Sequence, residues 1–369
     1  MNRRHFLKAG AVAPAAIAAS SIVPGTMKAA FAQSQSSSAW RIFEVTTRVE
    51  VLKPAGATKV WLPVPLVVDT DYQKSLGNQW NAEGGQAAFS QDVKSNTGIV
   101  AAEWADGAKP VLVLTSRFAT MNRVTDLTRV NAGLGLAGKE DPKYFLQPSA
   151  LIPTDGIVKS TAMEITQGAK TDMQKARAIY EWIVENTFRD PKTRGCGVGD
   201  IKFMLESKSY GGKCADLNAL YVGLARAAGL PARDVYGVRV ANSANGYKSL
   251  GRAGDITKAQ HCRAEVHLSG YGWVPVDPAD VRKVILEEEA GKLLGLDDER
   301  VVRARKTLFG SWEMNWLAFN YSHDVALPNA TKGRVGFFMY PQCETAEGRL
   351  DSLDSDNFKY QISSKELSA

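Results

Sequence analysis

The residue best placed for covalent chemistry is Cys214, in the run Tyr210-Gly211-Gly212-Lys213-Cys214. Behind it, Leu217, Leu220, Tyr221, Leu224 and Ala228 recur at helical spacing, so the thiol sits where a glycine loop turns into a helix. Gly229 offers that helix a left-handed stop, and Pro231 prevents its resumption. A thiol is useful as a nucleophile when its thiolate is populated. A helix N-terminus favours that negative charge by roughly 0.3–1 kcal/mol at exposed sites. The Cys214 amide, with no carbonyl one turn behind it, can donate to an oxyanion. Gly211 and Gly212 would let a substrate backbone come close, and Lys213 adds positive potential. The plain alternative for a lone cysteine is a small buried apolar residue.

A thiolate of this kind needs a base, and histidine is the usual one. The chain has four histidines; His5 falls in the N-terminal leader, leaving His261, His267 and His323. His261 and His267 share one strand and one parity, roughly 20 Å apart, so only one of them can serve Cys214. The orienting acid chooses between them. If the hairpin closes through Leu268-Ser269-Gly270, His267 faces Tyr271 and His261 faces Asp277. Carboxylate and imidazole then lie side by side, as a Cys/His/Asp triad requires. Taken singly, His261 reads as a solvated strand end and Asp277 as a turn residue before Pro278. For the second oxyanion donor, Asn186, Tyr210 and Trp182 are candidates by position, although Trp182 is better explained as helix packing. Asp216 is expected to support the first turn of the helix. Zinc on Cys214, His261 and Asp277 is chemically allowed, but the order and context of a thiol triad explain these residues better. No metal or cofactor is therefore expected. Of the other cysteines, Cys196 belongs to a glycine loop that leads towards Cys214. With Cys214 free, at most one bridge can form among Cys196, Cys262 and Cys343, and the spacing leaves the pair open.

These residues need elements to hold them. Of 369 residues 44% are hydrophobic, enough for two cores. Residues 1–32 read as a leader: paired Arg3-Arg4, then Phe6-Leu7-Lys8, an Ala-rich stretch, and small residues around Ala32. They resemble a twin-arginine export signal, which implies export after folding, to the periplasm or beyond, with cleavage near Ala32. An ordinary secretory signal is the alternative. The leader holds four of the basic residues and no acid, so the formal charge of +6 falls to about +2 without it. That surplus leaves no nucleic-acid footprint, and no stable membrane insertion is expected. After a Ser-rich lead-in, "RIFEVTTRVEVL", "TKVWLPVPLVV" and "KPVLVLTSRFAT" read as strands separated by loops such as "LGNQWNAEGGQ". Residues 33–145 are thus expected to form a β-sandwich domain. Pro148 and Pro153 mark a linker. Residues 150–290 carry a capped helix from Thr171, the Cys214 helix, and a His–hairpin–Asp segment, forming an α+β catalytic core. Residues 291–369 are expected to complete that core.

The segment "GGKCADLNALYVGLARAAGLPARDVYGV" resembles the Cys-bearing helix and following strand of transglutaminase-like proteins, and "HCRAEVHLSGYGWVPVDP" resembles their His–hairpin–Asp segment. The resemblance covers roughly residues 150–280. It implies a papain/transglutaminase-like core, a Cys-bearing helix packed on an antiparallel sheet, that performs acyl transfer through a thioester. Cys214 would be the nucleophile, His261 the base and Asp277 its orienting acid, with Tyr210, Gly211, Gly212 and Asn186 near the substrate loop. Where the family often has Ala-Trp after the histidine, this chain has Cys262-Arg263, a departure that touches the adjoining subsite. His267 falls where an aromatic is common, which leaves it a packing or surface role. The expected function is hydrolysis of peptide or carboxamide bonds, with peptide or protein substrates, cell-wall peptides among them. Transglutaminase activity and a non-catalytic exported binding protein are the alternatives.

Overall fold

A computed structural model describes residues 39–130, 141–354 and 356–367. The leader and the Ser-rich lead-in lie outside them. The first strand, β1 (Arg41–Val51), alternates as its sequence demands, with Phe43, Val45, Val49 and Val51 buried. β2 (Thr58–Pro63) ends at its own proline. β3 (Gln73–Glu83) and β4 (Gln86–Asp92) follow, then β5 (Thr97–Trp104) and β6 (Val111–Thr120).

The run "LGNQWNAEGGQ" is strand rather than loop. It covers the end of β3 and the turn into β4, with Gly84 at φ +66°, where the chain crosses from one sheet to the other. Both strands expose most of their residues, so the apolar alternation that identifies a half-buried strand is missing.

In the second half, α1 (Gly156–Ile165) precedes α2 (Asp172–Asn186). The Thr171 side chain accepts from the Gln174 amide and Gln174 reaches back, a complete capping box. Next come α3 (Ile201–Ser207) and α4 (Cys214–Ala227), all of whose residues are buried. β7 (Ala232–Arg239), β8 (Arg263–Leu268) and β9 (Gly272–Val276) lead to α5 (Pro278–Glu287) and α6 (Glu299–Thr307). β10 (Trp316–Asn320), β11 (Gln342–Glu344) and β12 (Phe358–Glu366) close the chain.

The core sheet is antiparallel with order β9-β8-β7-β10, and α4 packs against it through β7 and β8. Two further sheets face each other across a core of Val49, Val60, Val100, Leu112, Cys343 and Phe358. Their orders are β12-β1-β6-β3, with Gly254–Asp255 added at the β12 edge, and β11-β2-β5-β4. The tail therefore divides. β10 extends the catalytic sheet, whereas β11 and β12 join the sandwich built from the N-terminal strands. Residues Ser36–Ala369 form one compact unit.

Candidate active site

α4 begins at Cys214 because Lys213 is extended, with φ −116°, and Asp216 folds back to accept the Lys213 amide at 2.9 Å. The other Asp216 oxygen accepts the amides of Val198 and Gly199, both at 2.9 Å. One carboxylate thus ties the preceding loop to the first turn of the helix. The Ala215 amide donates to the Cys196 carbonyl at 2.9 Å, and those of Asp216 and Leu217 donate to Lys213. As the first helical residue, Cys214 has no intrahelical acceptor for its own amide.

The glycines before the thiol have a tighter purpose than admitting substrate. A Cβ on Gly211 would lie 2.4 Å from the Phe188 ring, and one on Gly212 would lie 2.6 Å from the Asp216 Cβ. Their bare faces are filled by Phe188 and Asp216.

His261 precedes β8. Its amide donates to the Gly237 carbonyl and its carbonyl accepts from Trp316 Nε1, both at 2.9 Å. Gly237 sits at a register shift between β7 and β10, where a Cβ would meet the Leu317 carbonyl oxygen at 2.1 Å. On the imidazole, Nε2 donates to Asp277 Oδ2 at 2.8 Å. The His261 ring also lowers the pKa of the Cys214 thiol, and with Nε2 committed to Asp277 it is Nδ1 that is left for the thiol. Both Cys214 and His261 are 3% exposed, so both are largely shielded from bulk water.

The hairpin reaches this arrangement by a different register from the expected one. His267 pairs with Trp273, not Tyr271, and the turn is Ser269-Gly270-Tyr271, with Gly270 at φ +78°. A shift of two preserves parity, so His261 and Asp277 stay on one face. His261 lies ahead of β8 and Asp277 caps α5, and so they meet side chain to side chain rather than as a cross-strand pair. His267 packs edge-on against Trp273 at 5.4 Å. His323 lies elsewhere, against Asp234 at 3.3 Å.

Asn186 donates its amide to the Trp182 carbonyl one turn back and is exposed. Tyr210 stacks edge-on against Trp182 at 5.6 Å.

Further residues complete the site, of which Asn218 is absent from the sequence-based expectation. Asn218, one turn after Cys214 and fully buried, donates to the Cys262 carbonyl at 2.8 Å and to Asp277 Oδ1 at 3.1 Å. Its signal is a polar residue at i+4 from the thiol, set among the apolar positions Leu217, Ala219 and Leu220. Cys196 and Cys262 both hydrogen-bond the Cys214 sulfur, and all four cysteines are free thiols. Cys343 lies apart, in the sandwich core. Hydrogen bonds from Cys196 and Cys262, joined by His261, hold the Cys214 thiol well below its usual range against the effect of burial. Arg263, in place of the expected aromatic, runs under Trp316 with its Cζ 4.7 Å from the ring and brings Nε to 3.6 Å from Asp277 Oδ2.

His261, Asp277 and Asp280 each bring one potential ligand atom within 4.8 Å of the others. Arg239 Nη2 donates to both Asp280 oxygens, at 2.6 and 2.8 Å, and Arg263 lies beside Asp277. Two guanidinium charges already balance the two carboxylates, so the donor set fits a proton-handling site better than a divalent cation.

Residues 159–278 match the transglutaminase-like superfamily, and residues 1–20 match the twin-arginine translocation pathway signal sequence. The leader therefore directs the chain to the periplasm or beyond. Among the described residues, no helix is long and apolar enough to cross a membrane. An uncharacterized protein of Haemophilus influenzae is 33% identical over 347 residues, covering 88% of this chain and 92% of that one. Two solved structures are also similar. A proposed cysteine protease from Cytophaga hutchinsonii has a TM-score of 0.49 and 16% identity, over 89% of this chain and 99% of that one. The periplasmic domain of TgpA from Pseudomonas aeruginosa has a TM-score of 0.35 and 15% identity, over 69% of this chain and 92% of that one.

Proposed function

The chain belongs to the transglutaminase-like superfamily, and from that premise we propose that it is an exported thiol enzyme that hydrolyses peptide or carboxamide bonds. The observation that carries this reading is the meeting of Cys214 and His261 at the start of α4, with Asp277 on the far ring nitrogen. In the proposed reaction the Cys214 thiolate attacks the carbonyl carbon. The Cys214 amide donates to the resulting oxyanion. The C–N bond breaks as the His261 imidazolium gives its Nδ1 proton to the leaving amine, leaving a thioester on Cys214. His261, now neutral, takes a proton from water as that water attacks. The C–S bond breaks, carboxylic acid departs, and thiolate and imidazolium are restored. Asp277 keeps the ring oriented throughout.

An amine replacing water at the second step would give cross-linking, and one experiment separates the two acceptors. Mature protein is incubated with a glutamine peptide and a labelled amine. Release of ammonia or peptide fragments without label incorporation, abolished in Cys214→Ala, supports hydrolysis. Label incorporation that depends on Cys214 would instead make the protein an amine transferase. If neither occurs, and Cys214 is alkylated no faster than a thiol in the unfolded chain, the enzymatic reading fails.

A further inference from the structure

We infer that His261 is held by two carboxylates rather than one, and that Asp280, anchored by Arg239, is a positioning residue for the imidazole alongside Asp277. The inference rests on the reading that His261 is the partner of Cys214.

Asp280 Oδ2 lies 3.4 Å from His261 Nε2, against 2.8 Å for Asp277 Oδ2. Both carboxylates project from the start of α5, three residues apart, and both are at most 1% exposed. They are held differently. Asp277 Oδ1 accepts from Asn218 and from the Asp280 amide, and its Oδ2 is shared between His261 and Arg263. Asp280 is gripped by both bonds from Arg239, whose other arm donates to the Leu250 carbonyl at 2.8 Å. A carboxylate fixed in this way cannot swing away from the ring.

Charge separates them too. Despite burial, Arg239 holds the Asp280 carboxyl well below the usual carboxylate range. Burial and the charge of Asp280 push Asp277 up. For His261, burial opposes protonation, yet its pKa is raised to about 9, by the attraction of Asp280 and by the attraction and hydrogen bond of Asp277, while Arg239 lowers it. The charged and titratable groups facing the ring are Cys214 of α4, Arg239 of β7, Arg263 of β8, and Asp277 and Asp280 of α5; Tyr180 of α2 feels Asp277. Because the folded pKa is raised, the imidazolium is present at neutral pH and is lost as pH rises through about 9.

The test follows His261 by imidazole NMR and Cys214 by iodoacetamide alkylation against pH, neither of which needs a substrate. In Asp280→Asn, the His261 titration and the upper limb of the peptide-cleavage profile move to lower pH by about one unit, a tenfold fall in the ratio of imidazolium to imidazole at a given pH. Asp280→Glu restores the titration. Arg239→Gln with Asp280→Asn removes both charges, so no unpaired ion stays buried and folding is protected. Because Asp280 outweighs Arg239 at the ring, His261 still titrates below wild type in this variant. If His261 titrates as in wild type in both variants, Asp280 merely neutralises Arg239 and the inference is overturned. An acid shift in the titration without any peptide cleavage would sink the hydrolytic reading while leaving the inference standing.

Discussion

At the scale of single residues, the unusual feature is a nucleophile with thiol neighbours. Cys196 reaches Cys214 from the glycine loop, where its sulfur also contacts the Gln260 carbonyl at 3.2 Å. Cys262 reaches it from the residue after His261. Cys262 can donate its S–H to the Cys214 thiolate, whereas Cys196 divides its one S–H between that thiolate and the Gln260 carbonyl, to which it donates at 3.2 Å. The cost appears on the donors: the bond to Cys214 and burial push the Cys196 thiol well up, and burial and the same bond do so for Cys262. We therefore expect Cys196→Ala to raise the Cys214 pKa and to move the pH profile of its alkylation upward by about one unit. Stopped-flow alkylation of the mature protein, with mass spectrometry to assign the labelled cysteine, reads this directly. An unchanged rate would leave the helix N-terminus and His261 as the main supports of the thiolate.

At the scale of elements, Asp216 joins two pieces of backbone that must arrive together. The loop it binds carries Cys196, and Gly197 in that loop has φ +94° and no room for a Cβ, which would fall 1.8 Å from the Asp216 Oδ2. Asp216→Ala strands three amides, that of Gly199 buried and those of Val198 and Lys213 partly buried, and costs roughly 1–3 kcal/mol for the first and less for each of the others. We expect a loss of several kcal/mol in urea unfolding and slower Cys214 alkylation even below the unfolding transition. Full reactivity in the destabilised variant would separate loop anchoring from thiol activation. The sequence made some of these elements plain. Helix periodicity and the Thr171–Gln174 cap marked α2, and the glycine loop with its apolar stripe marked the start of α4. It hid others for physical reasons. β3 and β4 lack a buried face, so no alternation marks them. The hairpin register depended on which glycine took the left-handed turn position, and both Gly270 and Gly272 have positive φ. Asp280 and Arg239 meet across 41 residues of chain, a pairing that no local pattern carries.

At the scale of the whole molecule, the chain end closes what the chain start opens. β12 pairs with β1 over the whole run from Phe43 to Val51, and its side chains serve two cores. Phe358 fills the sandwich, whereas Ile362 belongs with Phe43, Phe118 and the catalytic helices. β1 is thus the shared wall between sandwich and catalytic core, and its outer edge stays open until the last residues have been made. Non-local pairing of this kind is slow to form and leaves strand edges unpaired until it does. A leader of the twin-arginine type, which implies passage of a folded chain, suits such a topology. Truncation after Leu353 should therefore do more than trim a tail. It removes the β1–β12 ladder and uncovers apolar surface in both cores. We expect the truncated chain to accumulate as uncleaved precursor or to be degraded, and the purified fragment to show no cooperative unfolding. Fractionation of exported and cytoplasmic material, followed by a melt of the purified protein, would test this. A truncated chain that is exported and keeps rapid Cys214 alkylation would mean that the catalytic core stands without the strand that joins it to the sandwich.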